Sequence, residues 1–92
     1  MAGGARFRLR DNAISWRDVE QEVIVLDLES GDYFSFLGSA RTIWLALSGG
    51  SSLDEAAALL VETYGIGHGD AASDVVEFVA NLERRGFIEQ AA

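Results

Sequence analysis

The apolar positions of this 92-residue chain follow two periods, one before Leu37 and another from Ser39 onward. In the first part they alternate or cluster in short β-branched and aromatic runs, and in the second they recur at three- and four-residue spacing. Arg6-Phe7-Arg8-Leu9-Arg10 alternates basic and apolar side chains, and Asp11-Asn12 gives a turn signal. Ala13 to Val19 reads as a strand with Ile14 and Trp16 on one face and Ser15 and Arg17 on the other. Glu20-Gln21 is a short turn, and Glu22 to Leu28, rich in β-branched and aliphatic residues, is the clearest strand.

Glu29-Ser30-Gly31 then predicts a three-residue hairpin loop with Gly31 at the position of positive φ. That register pairs Leu28 with Asp32, Leu26 with Phe34 and Ile24 with Phe36. It assigns Ile24, Leu26, Leu28, Phe34 and Phe36 to the core face, and Val23, Val25, Tyr33, Ser35 and Leu37 to the opposite one. A two-residue loop would exchange the faces, because a slip of one residue turns every side chain over. Tyr33 to Leu37 is the last strand before the helices, so no strand close in sequence is left to pair with its far side. An exposed edge of this composition is either an aggregation hazard or a rail on which a peptide strand can dock.

Three helices are predicted. The first runs from Ser39 to Leu47, with Ile43, Trp44 and Leu47 at helical spacing and Ser48-Gly49-Gly50 ending it. The second starts at the capping-box pattern Ser52-Leu53-Asp54-Glu55, continues through Tyr64 and closes at Gly65. The third begins at Asp70 as N-cap and runs to Arg85, with Gly86 as its stop. Its apolar arc of Val75, Val76, Phe78, Val79 and Leu82 is wider than one packing seam requires. Either Val76 and Val79 point inward while Val75, Phe78 and Leu82 line a groove, or the reverse, or all five are core. Phe87-Ile88-Glu89 reads as a short extended tail packing back on the body. Three strands followed by three helices give an α+β fold: a three-stranded antiparallel sheet followed by three helices, winged-helix-like. The expected organisation is a flexible N-terminus over residues 1–5 and a single domain over residues 6–90.

Composition narrows the function. The net charge is −8, from 15 acidic and 7 basic residues, which opposes binding to a phosphate backbone and favours a basic partner. There is no cysteine, which removes disulfides, thiol nucleophiles and thiolate metal sites and fits a reducing cytoplasm. No apolar run approaches the roughly 20 residues that span a bilayer. The one histidine, His68, lies in a glycine-rich connector without a metal or triad constellation and reads as a solvated loop residue. Gly65-x-Gly67-x-Gly69 lies between helices rather than after a strand, so it lacks the context of a dinucleotide site. The carboxylate pairs Asp27/Glu29, Asp54/Glu55 and Asp74/Glu77 have simpler readings as a hairpin flank, a first-turn dipole complement and a solvated helix face. No catalytic residue, metal site or cofactor is expected, and binding is the function class that remains.

The order of these segments resembles the PqqD-like family. The resemblance is carried by Asp-Leu-Glu-Ser-Gly-Asp-Tyr-Phe-Ser-Phe-Leu at 27–37, a small residue, and then Ser-Ala-Arg-Thr-Ile-Trp-Leu-Ala-Leu-Ser-Gly-Gly at 39–50. With the capped second helix and Leu82-Glu83-Arg84-Arg85-Gly86-Phe87-Ile88, the resemblance covers roughly Leu9 to Glu89, nearly the whole chain. Such domains recognise the leader of a ribosomally made precursor peptide for its modifying enzymes. The short chain with D-x-x-S-G-x-Y is similar to the stand-alone form of lasso-peptide pathways.

The resemblance implies that the leader adds as a further strand beside the third strand, in the groove between it and the third helix. By position the peptide-binding role falls on Asp32, Tyr33, Phe34, Ser35, Phe36 and Leu37 of the strand. On the helix it falls on Asp74, Val75, Phe78, Val79 and Leu82. Lasso leaders carry a Tyr-x-x-Pro segment and a downstream Leu, which implies apolar pockets, and basic leader residues would suit Asp32, Asp74 and Glu77. Expected partners are the leader region, a leader peptidase and an ATP-dependent cyclase, with no nucleic acid and no membrane, acting in the cytoplasm as a monomer or weak dimer. The basic segment Arg6 to Leu9 departs from the family pattern. The alternatives are a winged-helix DNA-binding regulator, which the acidic balance opposes, and a scaffold subunit of another enzyme complex that modifies such peptides.

Overall fold

Residues 4–91 are described by the computed structural model. The strand-patterned half forms β1 (Phe7–Leu9), β2 (Ile14–Val19), β3 (Glu22–Asp27) and β4 (Tyr33–Phe36). Helices α1 (Gly38–Ser48), α2 (Leu53–Tyr64) and α3 (His68–Arg84) follow, and β5 (Ile88–Gln90) is the last element. Strands β2, β3 and β4 make a three-stranded antiparallel sheet in that order, so the expected α+β architecture of sheet and three helices is present.

The N-terminal basic segment and the C-terminal tail account for each other. Strand β1 pairs antiparallel with β5, Phe7 opposite Gln90 and Leu9 opposite Ile88. The Arg8 guanidinium donates to Glu89 Oε2 at 2.6 and 3.0 Å, and Arg10 lies 3.3 Å from Glu89 Oε1. Phe7, Phe87 and Ile88 are buried beneath this ribbon. The flexible N-terminus expected over residues 1–5 lies partly outside the described residues. Ala5 is tied down, its carbonyl accepting from the Leu53 N–H at 3.0 Å.

The β3–β4 register differs from expectation by one residue. Val23 lies opposite Phe36 and Val25 opposite Phe34. The core face of β3 is therefore Val23 and Val25, both fully buried, while Ile24 and Leu26 lie on the other face and Leu28 is 52% exposed. Phe34 and Phe36 pack against the core as expected. The cause is a four-residue loop, 28–31, nucleated by Asp27. Its Oδ1 accepts the N–H groups of Glu29 and Ser30, its carbonyl accepts that of Gly31, and Gly31 takes φ 80°. These bonds hold the Asp27 carboxyl below its ordinary pKa, the Glu29 N–H contributing most.

The helix boundaries follow local chemistry. Ser52 Oγ accepts from the Glu55 N–H at 3.2 Å and Glu55 Oε1 accepts from the Ser52 N–H at 2.7 Å, the expected capping box. Gly65, in the left-handed region at φ 69°, closes α2. Helix α3 starts two residues before Asp70, with Gly67 at the N-cap and no side-chain cap. Asp70 therefore sits in the first turn, where its charge still complements the dipole, and His68 is an exposed helical residue rather than a loop residue. At the other end the Gly86 N–H reaches Glu83 O and the Phe87 N–H reaches Leu82 O, each at 3.0 Å. That double bond pattern stops α3 and turns Phe87 into the core.

Trp44, wholly buried, is the centre of the packing. Its ring meets Trp16 edge-on at 5.7 Å and stacks on Phe36 at 5.5 Å, fastening α1 to the inner face of the sheet. Arg41 and Asp18 form a two-pronged ion pair at 2.8 and 2.7 Å that ties the start of α1 to the β2–β3 end of the sheet.

Candidate functional site

The pairing of β4 decides which of its backbone groups are free. The Asp27 N–H donates to Asp32 O at 2.9 Å, which makes Asp27 and Asp32 a hydrogen-bonded pair. Antiparallel pairs alternate, so Phe34 and Phe36 turn their N–H and C=O groups toward β3. Tyr33 and Ser35 turn theirs outward, and β4 is an edge of the sheet with no strand beyond it among the described residues. This is the donor and acceptor row that an added strand requires.

Beneath the edge lies an aromatic floor. Phe36 stands between Trp44 and Phe78 of α3, meeting Phe78 edge-to-face at 5.1 Å. Phe34 packs on Phe87 at 5.3 Å and is covered by the Arg85 guanidinium, 4.5 Å from its ring centroid. Arg85 is oriented there by its Nε, which donates to Asn81 Oδ1 at 2.8 Å. Where β4 runs into α1, a cleft of about 300 Å³ opens between α1 and α3. Ser39, Ala40 and Ile43 form one wall and Asp74, Glu77, Phe78 and Asn81 the other. Neither Asp74 nor Glu77 forms an ion pair among the described residues, so the cleft has an apolar floor and a negative wall.

The eleven residues expected at the site fall into three groups. Phe34, Phe36, Phe78 and Asp74 line the groove or its cleft, and Asp32, Tyr33, Ser35 and Leu37 lie along the exposed strand. Tyr33 and Leu37 turn their side chains to the opposite face of the sheet, where they are 70% and 60% exposed. Val75, Val79 and Leu82 are buried at 1%, 3% and 1%, so they support α3 from beneath instead of offering contact surface. Neither sorting of the arc expected from sequence holds, because Val76 is exposed while Val75, Val79 and Leu82 are core. Ser39, Ala40, Ile43, Asn81 and Arg85 are additions. Asp74, Glu77, Phe78 and Asn81 stand at i, i+3, i+4 and i+7, a stripe that helical spacing displays but apolar periodicity alone passes over.

Fold and site together define a winged-helix-like α+β domain with one open sheet edge above an aromatic-floored cleft. The chain belongs to the PqqD family, described as coenzyme PQQ synthesis protein D, which matches residues 22–88. Two solved structures share the fold. One, a lasso peptide synthetase B1 complexed with the leader peptide, is 30% identical with a TM-score of 0.82, covering 91% of this chain and 98% of that one. The other, TbiB1 in complex with the TbiA(beta) leader peptide, is 24% identical with a TM-score of 0.83, covering 92% of this chain and 98% of that one, and supports the fold alone. No curated protein sequence matches significantly.

Proposed function

We propose that this protein is a non-catalytic adaptor that captures the leader of a ribosomal precursor peptide. The leader adds as a fourth strand to β4, bonding to the outward backbone groups of Tyr33 and Ser35. Its alternate side chains drop toward Phe34, Phe36 and Phe78. A basic leader side chain reaches the cleft, its aliphatic stem over Ile43 and Phe78 and its charge at Asp74 and Glu77. Asp32 offers a further carboxylate at the start of the strand. The observation that carries this reading is the unpaired β4 edge, joined to the cleft through Phe36, whose ring meets the cleft residue Phe78. The 30% identical B1 protein, solved with a leader peptide, supports it.

Binding of this kind raises effective concentration. Once the leader is held, the encounter between the rest of the precursor and a leader peptidase or ATP-dependent cyclase becomes nearly intramolecular. The adaptor works in the cytoplasm, needs no cofactor, and acts as a monomer or weak dimer. Among the described residues no helix is long and apolar enough to cross a membrane.

The test is titration of a fluorescent leader peptide from the precursor of the same pathway, with Ser35→Pro as the control. A dissociation constant on the order of 1 μM or below is expected for a short strand with a few anchors. Saturable binding that is insensitive to Ser35→Pro in a folded protein would rule out strand addition at this edge.

A further inference from the structure

The seven basic side chains of the chain are all arginine, and four of them, Arg6, Arg8, Arg10 and Arg41, are paired with carboxylates. Arg17, Arg84 and Arg85 have no carboxylate within ion-pair distance among the described residues. Of these three, only Arg85 is held in a fixed orientation. Its Nε donates to Asn81 Oδ1 at 2.8 Å, and its guanidinium lies 4.5 Å from the Phe34 ring centroid. The two Nη groups have no acceptor among the described residues, so a planar fork of donors is set over the β4 side chain it covers and bonds to nothing. A polar cavity behind it, which Asp27 and Glu29 also line, does not neutralise it. Asp27 Oδ1 is taken by loop N–H groups, and neither carboxylate reaches ion-pair distance of Arg85. A cation that only complemented the negative end of the α3 dipole would need no such orientation, and Arg84 in the last turn already serves there.

Helical spacing puts Arg85 on the same stripe as the acids of the cleft. Asp74, Glu77, Phe78, Asn81 and Arg85 fall at i, i+3, i+4, i+7 and i+11, and at 3.6 residues per turn eleven residues return to within about 20° of the starting direction. The contacts to β4 orient the stripe. Phe78 meets Phe36 and Arg85 meets Phe34, so α3 runs opposite to β4. The groove is therefore negative at its Phe36 end and positive at its Phe34 end. Arg85 lies about 12 Å along the helix from Glu77 and about 16 Å from Asp74, at 1.5 Å per residue. An extended strand covers that span in about four to five residues, and only every second one faces the groove, so the matching spacing is four. We infer that the groove selects a leader segment with a basic side chain, an apolar one two residues on, and an acidic one two residues beyond that, which Arg85 holds. The inference rests on the adaptor reading above and specifies its ligand. The order follows from the sheet, whose strands are antiparallel throughout: a strand added antiparallel to β4 runs with α3, from the acids to Arg85. The middle side chain lies over Phe36 and Phe78. Reversing the strand would set like charges together, and sliding it by two residues would part the ion pairs. The charge pair thus fixes a register that main-chain bonds alone leave free to slip.

The test titrates the labelled leader of the same pathway into the full chain and into Arg85→Glu, Arg85→Gln and Glu77→Lys at low salt. Matching leaders carry lysine in place of each acidic residue in turn, or glutamate in place of each basic one. Arg85 and Glu77 are both exposed, so the variants should fold. Arg85→Glu should weaken the parent leader about tenfold and Arg85→Gln about threefold, both differences shrinking at high salt. One acid-to-lysine leader should bind the parent protein weakly and recover on Arg85→Glu, and one base-to-glutamate leader should recover on Glu77→Lys. The two leader positions should stand four apart, the basic one first. Affinity within about twofold of the parent in both Arg85 variants would overturn the proposal. So would a loss that no leader substitution rescues, because Arg85 would then act only by covering Phe34, and so would rescue at another spacing or in the reverse order. The two readings fail separately: a parent that binds no leader, or binds it equally well after Ser35→Pro, sinks the adaptor reading. Binding that is sensitive to Ser35→Pro and indifferent to Arg85 sinks only the charge register.

Discussion

Replacing Ser35 with proline isolates the one backbone donor on which strand addition depends most directly. Ser35 is exposed and lies at a position of β4 whose N–H points away from β3, so the substitution removes no bond of the existing sheet. Phe34, the residue before it, is already extended, as a residue preceding proline prefers to be. The variant should therefore fold, and its thermal midpoint should fall by only a few degrees.

Binding should suffer far more. One amide–carbonyl bond to the leader is lost, about 1 kcal/mol net, and the leader carbonyl it served is left without a donor, about 1–2 kcal/mol more. The sum, about 2–3 kcal/mol, corresponds to roughly a 30- to 150-fold weaker dissociation constant. Fluorescence anisotropy with the labelled leader measures it directly. Ser35→Ala, which keeps the N–H, should change affinity by less than about twofold. Equal affinity of the parent and a folded Ser35→Pro variant would refute docking at this edge, whatever else bound the peptide.

Three further outcomes follow from the structure. The β2–β3 hairpin turns through Glu20 and Gln21 at φ 51° and 70°, a pair of left-handed residues that Asn-Gly adopts with less strain; the double change Glu20→Asn/Gln21→Gly should stabilise by about 1–2 kcal/mol and raise the calorimetric midpoint by several degrees. Asp74→Asn with Glu77→Gln should weaken binding of a basic leader by roughly fivefold at low salt, with the difference closing at high salt. Because the chain has no lysine, carbodiimide coupling of a lysine-containing leader should mark Asp74 or Glu77 without side-chain cross-links within the protein, and marking elsewhere alone would move the cleft assignment.

A fourth outcome concerns acid. Glu89 is held below its usual pKa by the Arg8 hydrogen bond first, then by the charges of Arg8 and Arg10, and Asp18 chiefly by its bond to Arg41. Glu55 is lowered mainly by the Ser52 N–H and then by Arg6. Carboxyls depressed in the folded state give stability that is present above their unfolded values, near 4.5 for Glu and 3.8 for Asp, and lost as pH falls through the folded ones. Melting curves should thus be flat with respect to these groups near neutrality and drop below about pH 4.5, with a shallower drop in Arg8→Gln.

Much of the site was legible in residue order. The strand Tyr33–Phe36, its place as the last strand before the helices, the capping box at Ser52 and the stop at Gly86 all rest on interactions within a few residues, which sequence spacing encodes. The sorting of α3 was harder, because its moderately wide apolar arc is consistent with several rotations. Only the position of α2 and the ribbon over Phe87 fixes Val75, Val79 and Leu82 as core and leaves Asp74, Glu77 and Asn81 on the cleft. The facing of β3 is ambiguous in sequence because both of its faces are aliphatic. Val23 and Val25 compete with Ile24 and Leu26 on hydrophobicity alone, and Asp27, by accepting the loop N–H groups, lengthens the loop by one residue and settles the contest.

What the sequence by itself determined is the run of elements from β2 to α3, their order and the open edge, since periodicity, caps and turn glycines act locally. What only the tertiary structure decided is which faces are buried and what the termini do. The basic Arg6–Arg10 segment has no meaning until β5, some eighty residues away, supplies Glu89 and closes the ribbon. The apolar outer face likewise exists only once the loop register has turned Ile24 and Leu26 away from the helices. Both depend on contacts distant in sequence, whose energies local pattern does not carry.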